Sequence, residues 1–404
     1  MQQSGKKKII IVIHYLEIGG AEVSLIGLLQ AMDISLYDVD LFVHCHRGEL
    51  MKYIPNGVHL LPEIPEYAQI ERPLKDVIKD GYWRIAVRRF KAKWKAKRFN
   101  KRHRFRDSGV VFQKIANELT PILPLISSTH YDLAISFLIP HNYVLDKVQA
   151  TKKICWIHTD YQSLSIDSKE EFPIWNAYDK IISISPKVTE SFLGVFPSLK
   201  DKIMEVRNIL STQFIRSRAV LMDVSEEMRR GREDAVILLS VGRFVFAKNY
   251  DNVPEICRLI VDKGINVVWY LIGFGGAEQL IRRRIEEHGM QDHVKILGKK
   301  INPYPYIREC DIYVQPSRYE GNSVTVREAQ LLCKPVVITN YATANSQVEN
   351  GKDGIIVPLN SAECAEGIVR FIQNDSQRDT IVKYLHCHDF SNEKEVTKIE
   401  GLFI

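Results

Sequence analysis

The chain has 404 residues, of which 45% are hydrophobic and 26% charged, and its formal net charge is +6. This composition excludes disordered, collagen-like and wholly membrane-embedded proteins and is typical of a soluble globular enzyme. Because the length exceeds what one hydrophobic core usually organises, we expect two domains. The seven cysteines are scattered and form no C-x-x-C pair, which favours buried thiols in a reducing compartment over a disulfide framework.

The N-terminal region contains three lysines, Lys6 to Lys8, followed by the apolar run IIIVI. This order imitates a signal peptide, but His14 and Glu17 interrupt the apolar character and no small-residue cleavage site follows. A buried strand that leads into a glycine loop explains the same residues. No apolar stretch reaches the roughly 18–20 residues that span a bilayer, so we expect a cytoplasmic protein.

Short, β-branched apolar runs recur through the first half of the chain. They lie at 8–14, 39–45, 131–137, 152–158 and 178–185. The first run is followed by two glycines and then by the helical pattern AEVSLIGLLQAM. Continuous apolar strands that alternate with helices indicate a parallel sheet covered on both faces.

A basic insertion at 72–106 interrupts this alternation, with 15 Lys/Arg against two Asp. Trp83, Val87, Phe90 and Trp94 recur in it at helical spacing, which predicts a basic amphipathic helix. Three interpretations remain open: a solvated helix whose aromatic stripe faces the core, a nucleic-acid site, and a surface that docks on an anionic membrane. We favour the membrane, and the expected membrane or acceptor contacts are Trp83, Arg88, Phe90, Lys91, Trp94 and Lys95.

The second half repeats the alternation of strands and helices, with apolar runs at 236–244, 266–275, 294–298, 311–317, 334–340 and 353–358. The sequence therefore predicts two doubly wound α/β domains, at residues 1–208 and 209–388. A last helix at about 389–404 can pack back on the first domain. Ligands of such sheets bind at the carboxyl ends of the strands, so two facing domains predict a cleft that suits a two-substrate reaction.

Two cations follow the first strand of the second half. Arg243 and Lys248 lie five residues apart just beyond the strand, where they could clamp a diphosphate or remain solvated surface charges. The segment LIGFGGAE, which contains Gly275, combines a strand, a glycine turn and a helix start, a place where backbone N–H groups can meet an anion. Neither this turn nor Gly19–Gly20 supplies the G-x-G-x-x-G pattern of a nicotinamide site.

The segment SRYEGNSVTVREAQLLCKPVV is the most informative of the chain. A strand is expected to end at Ser317, followed by a turn through Glu320 and a helix that runs to Cys333. Glu328 lies two turns along this helix among apolar and small residues, where a carboxylate needs polar partners such as the hydroxyls of a ribose. The N–H groups of the first helical turn, at 323–325, are expected to be free for phosphates.

Two glutamates that flank seven residues, after an Arg…Lys pair, resemble the retaining glycosyltransferases of family 4, which have the GT-B fold of two Rossmann-like domains. GGAE at 19–22 resembles the first glycine loop of that family, WIHTD at 156–160 its histidine motif, and the region from VGRF to DGIIVP most of its donor domain. The turn departs from the family pattern at Asn322 and Ser323. The usual N-P-I/V-D of the interdomain hinge is replaced by Asn208-Ile209-Leu210.

The resemblance implies a role for each matching residue. Arg243 and Lys248 would bind the donor diphosphate, Glu328 the ribose, Glu320 the transferred sugar, and His158 would lie near the reacting sugar. Gly20 would let the first loop approach the donor closely, and base contacts are expected at 298–301. The catalytic set is His158, Arg243, Lys248 and Glu320. The donor-binding set is Gly20, Arg243, Lys248, Gly275, Lys300, Glu320, Gly321, Asn322, Ser323, Val324, Thr325 and Glu328.

The function predicted from these residues is retaining transfer of a hexose or N-acetylhexosamine from a UDP-sugar to a glycan or lipid-linked acceptor. It would serve cell-surface polysaccharide synthesis at the inner face of the plasma membrane. No cofactor or metal is expected, because Asp38-Val39-Asp40 precedes its apolar strand and is interpreted as a strand edge rather than as a metal motif. The alternatives are a sugar-nucleotide epimerase of the same fold and an inactive binding subunit of a polysaccharide-assembly complex.

Overall fold

The computed structural model describes residues 6–17, 19–105, 109–229, 231 and 234–403, so Arg106 of the basic insertion lies outside the described residues. The chain divides into two compact units. Unit 1 comprises Met1–Ile209 together with Glu393–Ile404, and unit 2 comprises Leu210–Asn392.

Unit 1 is built on a parallel sheet. Its strands are β1 (Lys7–Ile13), β2 (Tyr37–Val43), β3 (Val58–Leu60), β4 (His130–Ser136), β5 (Gln149–Ile157), β6 (Lys180–Ser183) and β7 (Ile203–Glu205). Within the described residues their order is β3-β2-β1-β4-β5-β6-β7, and every pairing is parallel. The β-branched run of β1 is central because both faces are covered, and Ile9 to Ile13 are at most 1% exposed.

Helices flank this sheet. They are α1 (Gly20–Ala31), α2 (Leu74–Lys79), α3 (Trp83–His103), α4 (Val110–Leu119), α5 (Asn142–Lys147), α6 (Ser168–Asn176), α7 (Pro186–Val195) and, near the C-terminus, α17 (Val396–Glu400). None of the helices in the described ranges combines the length and the apolar character that a bilayer span requires.

Unit 2 repeats the architecture. Its strands are β8 (Val236–Val241), β9 (Val267–Ile272), β10 (Val294–Gly298), β11 (Ile312–Gln315), β12 (Val336–Thr339) and β13 (Ile355–Val357). Its helices are α8 (Thr212–Ala219), α9 (Ser225–Arg229), α10 (Val253–Val261), α11 (Glu278–Glu287), α12 (Tyr304–Glu309), α13 (Val324–Leu331), α14 (Ala344–Gln347), α15 (Ser361–Gln373) and α16 (Asp375–Cys387). In the described part of this unit the strand order is β10-β9-β8-β11-β12-β13, again with parallel pairings.

Both sheets reverse their strand order at one point, between β1 and β4 in unit 1 and between β8 and β11 in unit 2. In doubly wound sheets the loops diverge at this point and leave a crevice at the carboxyl ends of the strands. The predicted fold class is confirmed, and each predicted apolar run contains a strand. The sequence patterns missed β3 and β7, which have three residues each and lie at the two edges of the first sheet.

The interpretation of Asp38-Val39-Asp40 as a segment before its strand was wrong in position, because these residues lie within β2. The carboxylate of Asp40 accepts a hydrogen bond from the Tyr131 hydroxyl at 2.6 Å and contacts Nδ1 of His59 at 2.9 Å. Asp40 therefore links β2 to β4 through Tyr131 and to β3 through His59.

The basic insertion forms α2 and the 21-residue α3. The interpretation that its aromatic stripe faces the core is wrong: Trp83, Val87, Phe90 and Trp94 are between 57% and 68% exposed. The opposite face of α3 is buried because it carries two alanines, Ala92 and Ala96, that allow a close approach to neighbouring elements.

Candidate functional site

The switch point of unit 2 brings a cation and a carboxylate together. Lys248 ends a short 3-10 turn after β8, and Glu320 lies in the turn after β11. Lys248 Nζ donates to Glu320 Oε1 at 2.6 Å, and the two side chains are only 18% and 11% exposed. The strands are neighbours, so residues 72 positions apart in the chain meet at one edge of the sheet.

Three further side chains, which the sequence patterns missed, hold Glu320 in place. Ser317 Oγ donates to its Oε1 at 2.6 Å and Gln315 Nε2 donates to the same atom at 3.2 Å. Thr343 Oγ1 donates to the backbone carbonyl of Glu320 at 2.9 Å. A signal for two of them was present, because Gln315 and Ser317 are polar residues at alternate positions where an apolar strand ends.

A second ion pair joins the loops that carry Lys248 and Glu320. The guanidinium of Arg318 donates to both carboxylate oxygens of Asp251, at 2.8 and 2.7 Å, and to the carbonyl of Phe246 at 2.7 Å. The N–H of Arg318 donates to the carbonyl of Ala247 at 2.8 Å. A forked pair of this kind fixes orientation as well as distance, so it holds the two loops in one arrangement.

The glycine turn after β9 packs directly on the segment that carries Arg243. Gly275 has φ +153°, and a Cβ there would lie 2.5 Å from the carbonyl oxygen of Phe244. Phe244 N–H donates to the carbonyl of Phe274 at 2.8 Å, and Ala277 N–H donates to the carbonyl of Phe244 at 3.0 Å. Gly275 is therefore required for close packing of two backbones. Arg243 itself is exposed and has no carboxylate partner among the described residues.

The first turn of α13 differs in one respect from expectation. The N–H of Ser323, expected to be free for a phosphate, donates to Gln347 Oε1 at 3.1 Å, and Gln347 Nε2 donates back to the carbonyl of Ser323. Val324 and Thr325 begin the helix, where N–H groups have no intrahelical partner. The side chain of Thr325 joins the Glu320 network through Gln315 Oε1 at 3.2 Å.

Gly321 and Asn322 form the half-buried middle of the turn between Glu320 and α13. Gly321 lies directly beside Glu320, whose backbone carbonyl is fixed by Thr343, and Asn322 precedes the helix start. Both positions therefore lie between the ion pair and the first turn of α13.

Glu328 lies a little more than one turn into α13, not two, and is 4% exposed. Its Oε1 accepts from the Tyr304 hydroxyl at 2.9 Å. Burial raises the pKa of Glu328 to about 7, although the Tyr304 hydrogen bond and the charge of Arg218 act in the opposite direction. The guanidinium of Arg218 lies 5.7 Å from the centre of the Tyr304 ring. Tyr304 and Arg218 are partners that the sequence patterns missed.

Lys300 follows β10, at the edge of the sheet, and pairs with Glu227 at 2.9 Å. Its ammonium also lies 4.8 Å from the centre of the Tyr306 ring, and the Tyr306 hydroxyl donates to Glu227 at 2.6 Å. Lys300 is thus held in a local network that does not include Glu320 or Glu328.

In unit 1, His158 directly follows β5 and lies 4.8 Å from the Phe137 ring. Burial lowers the pKa of His158 to about 4, so its imidazole is neutral near pH 7. Its Nε2 is enclosed and makes no hydrogen bond within the described part of the chain. Because so low a pKa makes a poor general base near pH 7, this nitrogen is better suited to hydrogen bonding with a ligand. Gly20 is the exposed first residue of α1.

A polar cluster that the sequence patterns missed follows β1 and β2. Nδ1 of His14 lies 3.2 Å from Nδ1 of His44, and Nε2 of His14 lies 3.3 Å from Glu71, which also pairs with Arg47 at 3.2 Å. Burial lowers the pKa of His44, with a smaller contribution from His14. The His14 contact with Glu71, against the cost of partial burial, lowers the pKa of Glu71. Imidazole nitrogens and a carboxylate at a strand-switch crevice can form hydrogen bonds with hydroxyl groups.

A known protein family matches most of unit 2, which holds the Lys248–Glu320 pair. Residues 225–386 match the family described as Glycosyl transferases group 1. Unit 2 contains a group 1 glycosyl transferase domain. Lys248, Glu320 and Glu328 all lie inside the matched residues.

Relatives match the chain over part of its length. The Alpha-D-kanosaminyltransferase of Streptomyces kanamyceticus is 24% identical over 45% of this chain and 48% of that protein. The Poly(ribitol-phosphate) alpha-N-acetylglucosaminyltransferase of Staphylococcus aureus is 26% identical over 53% of this chain and 44% of that protein. The chain thus spans about half the length of the curated relatives it matches.

The whole fold is similar to that of solved glycosyltransferases. Anabaena HepE, crystallised in complex with UDP, superimposes with a TM-score of 0.64 at 16% identity, covering 98% of this chain and 99% of HepE. This likeness shows the fold, which is GT-B.

Proposed function

We propose that the protein transfers a hexose or N-acetylhexosamine from a UDP-sugar, with retention of configuration, to a glycan or lipid-linked acceptor in polysaccharide synthesis. The observation that carries the proposal is the Lys248–Glu320 pair at the switch point of a group 1 glycosyl transferase domain. The names of the relatives support sugar transfer, and the UDP bound to the similar structure of HepE supports a UDP-linked donor.

In this proposal the two members of the Lys248–Glu320 pair bind different parts of the donor. Glu320 has a carboxylate fixed by Ser317 and Gln315, and it would accept hydrogen bonds from hydroxyls of the transferred sugar. Lys248, held beside it, would contact the diphosphate together with the exposed Arg243. Hydrogen bonds to charged groups of this kind contribute about 1.5–3 kcal/mol each.

The chemical step in this proposal is a front-face displacement. The bond between the anomeric carbon and the diphosphate oxygen breaks as the sugar becomes oxocarbenium-like, and the acceptor hydroxyl attacks from the same face and loses its proton to the leaving diphosphate. Lys248, Arg243 and the first-turn N–H groups of α13 would stabilise the negative charge that grows on the diphosphate. In this scheme these groups stabilise the leaving diphosphate without a cofactor or a metal.

Glu328 and the residues of unit 1 complete the proposed substrate contacts. Glu328 would accept hydrogen bonds from the ribose, and residues 298–301, including Lys300, would lie near the base. His158 would contact the reacting sugar as a neutral imidazole, because burial lowers its pKa to about 4. The proposed location is peripheral, at the inner face of the plasma membrane, where the basic insertion would meet anionic lipid.

The test begins with a thermal-shift screen of UDP-, GDP- and ADP-sugars, followed by assays of donor hydrolysis and of transfer to glycan acceptors. We expect a UDP-sugar to stabilise the protein, and we expect Lys248→Ala to lower turnover at saturating donor by about two orders of magnitude or more. Lys263→Ala, an exposed lysine of the same unit, is the matched control.

Three outcomes would contradict the proposal. Near-wild-type turnover of Lys248→Ala at saturating donor would remove this lysine from the mechanism. An epimerised donor without transfer would identify the epimerase alternative. Donor binding with neither hydrolysis nor transfer would identify an inactive binding subunit.

A further inference from the structure

The exposed side of α3 carries a stripe of four apolar side chains that are largely open to solvent. Trp83, Val87, Phe90 and Trp94 are 65%, 60%, 68% and 57% exposed. Their spacing of four, three and four residues places them on one face of the helix over about 16 Å. Exposed apolar residues scattered singly are ordinary, but four consecutive members of one helical face, three of them aromatic, indicate an interaction surface.

Eight of the ten cations of α3 fall into two groups that the sequence could not separate. Arg88, Lys91 and Lys95 all reach one carboxylate of α4, that of Glu118, at 3.2, 3.2 and 2.5 Å. The predicted membrane or acceptor contacts Arg88, Lys91 and Lys95 thus share one carboxylate within unit 1, while 40%, 52% and 45% of their side-chain surface stays exposed. Arg89 is buried and donates to the carbonyls of two residues of the insertion, at 2.6 and 2.7 Å.

The second group lies beside the aromatic face and extends toward the C-terminal end of α3. Lys93, Lys97 and Lys101 are exposed and have no acidic partner in the part of the chain that the structure describes. Arg98 is exposed as well, with its guanidinium 5.8 Å from the centre of the Trp94 ring. The face is thus apolar along its centre and positive at its margin.

We propose that this face, formed by Trp83, Val87, Phe90 and Trp94 and flanked by Lys93, Lys97, Arg98 and Lys101, docks the protein on an anionic lipid surface. Indole and phenyl rings lie in the interfacial layer of a bilayer, and lysine and arginine beside them meet anionic headgroups. The helix would lie parallel to the surface, with the Glu118 pairs holding it to α4. This docking surface adds a membrane contact to the proposed function. Its biological purpose rests on that proposed function.

Charge complementarity decides between a membrane and a second copy of the chain. Two copies joined through this face would bring two sets of unpaired cations together with no carboxylate between them, which is unfavourable in a low-dielectric contact. An anionic surface supplies the missing negative charge and accepts the aromatic side chains as well. A nucleic acid would satisfy the cations, but it offers no continuous apolar layer for a stripe of this length.

The experiment is co-sedimentation of the full chain with phosphatidylcholine vesicles, with and without roughly one third phosphatidylglycerol. We expect binding to the anionic vesicles only, together with a blue shift of tryptophan emission. The triple variant Trp83→Ala/Phe90→Ala/Trp94→Ala should lower the affinity at least about tenfold, and Lys93→Glu/Lys97→Glu/Lys101→Glu should do the same. The matched controls are Leu221→Ala and Lys263→Glu, which change exposed residues of unit 2 and should bind as the parent does.

Unfolding curves check that the variants remain folded, which we expect because all the substituted side chains are exposed. Equal binding to vesicles with and without phosphatidylglycerol, or unchanged binding of the aromatic variant, would overturn the proposal. Self-association that the aromatic variant abolishes, without vesicle binding, would assign the face to a second copy. Binding to an oligonucleotide that the charge variant abolishes, again without vesicle binding, would assign it to nucleic acid.

Vesicle binding is measured without donor or acceptor, so its outcome is separate from that of the transferase assay. Binding without turnover would leave the docking surface standing and refute the proposed function. Turnover on a soluble acceptor without vesicle binding would do the reverse.

Discussion

Glu320 and Glu328 are eight residues apart but lie in opposite electrostatic environments. Glu320 is paired with Lys248 and accepts a hydrogen bond from the Ser317 hydroxyl. Glu328 accepts a hydrogen bond from the Tyr304 hydroxyl and lies on the buried side of α13, where burial raises its pKa to about 7. One carboxylate is therefore held by an ammonium and a hydroxyl group, and the other changes charge near neutral pH.

The raised pKa of Glu328 makes stability depend on pH in a definite direction. Its folded pKa of about 7 exceeds the ordinary value of 4.5, so the folded state favours the protonated carboxyl. The contribution is fully present below pH 4.5 and is lost as the pH rises through about 7, a change on the order of 3 kcal/mol. We expect Glu328→Gln to remove this part of the pH dependence, as measured by chemical unfolding of the free protein between pH 4.5 and 8. An unchanged profile in the variant would contradict the assignment.

At the scale of elements, α3 is held to α4 by charges as well as by its small buried residues. Glu118 is 8% exposed; burial alone would raise its pKa, but hydrogen bonds from Lys95, Lys91 and Arg88 hold the pKa below its usual value. Helix α3 is mostly polar, so its buried residues alone leave its orientation weakly determined. The three ion pairs with Glu118 fix how α3 is rotated about its own axis. That rotation is what turns Trp83 and its companions outward.

We expect Glu118→Gln to destabilise unit 1 by about 1–2 kcal/mol, a modest value because the three cations remain partly solvated. Since the folded pKa of Glu118 is lowered, this stabilisation is present above the ordinary value of 4.5 and is lost as the pH falls through the folded pKa. Urea unfolding at pH 7 and at pH 4 measures both effects. Glu190→Gln, which breaks the exposed pair with Lys187, serves as the control and should change stability little.

At the scale of the molecule, the chain returns to unit 1 after completing unit 2. Within unit 2, Leu210 N–H donates to the carbonyl of Ser391 at 2.8 Å, which joins the first and last parts of that unit. Within unit 1, Lys152 donates to the carbonyl of Leu402 at 2.6 Å, and the ring of Phe403 stacks on Tyr37 with centres 5.2 Å apart. The last segment is thus part of the core of unit 1.

We expect Ile399→Ala to destabilise unit 1 by about 2–4 kcal/mol, because Ile399 is 1% exposed and its truncation leaves a cavity. Hydrogen exchange should then quicken in β2 and β5 while β9 of unit 2 keeps its protection. Ile34→Ala, at an isoleucine 43% exposed, is the control and should have a much smaller effect. Equal loss of protection in both units would show that the segment does not belong to unit 1 alone.

The amino-acid sequence alone determined the strands and the order of their alternation with helices. An apolar β-branched run such as β1 is buried whatever surrounds it, so local pattern is sufficient there. The same holds for the position of Lys248 just after one strand and of Glu320 just after another. The edge strands β3 and β7 escaped because three residues are too few to establish a pattern.

Only the tertiary structure decided which groups meet and which face of a helix is covered. Periodicity shows that Trp83, Phe90 and Trp94 share a face, but the position of α4 determines that this face is exposed. In the same way, the Ser323 N–H is occupied by Gln347, and Lys300 by Glu227. Hydrogen bonds and ion pairs between residues far apart in the chain depend on distances of a few ångströms, which the fold sets and no local pattern records.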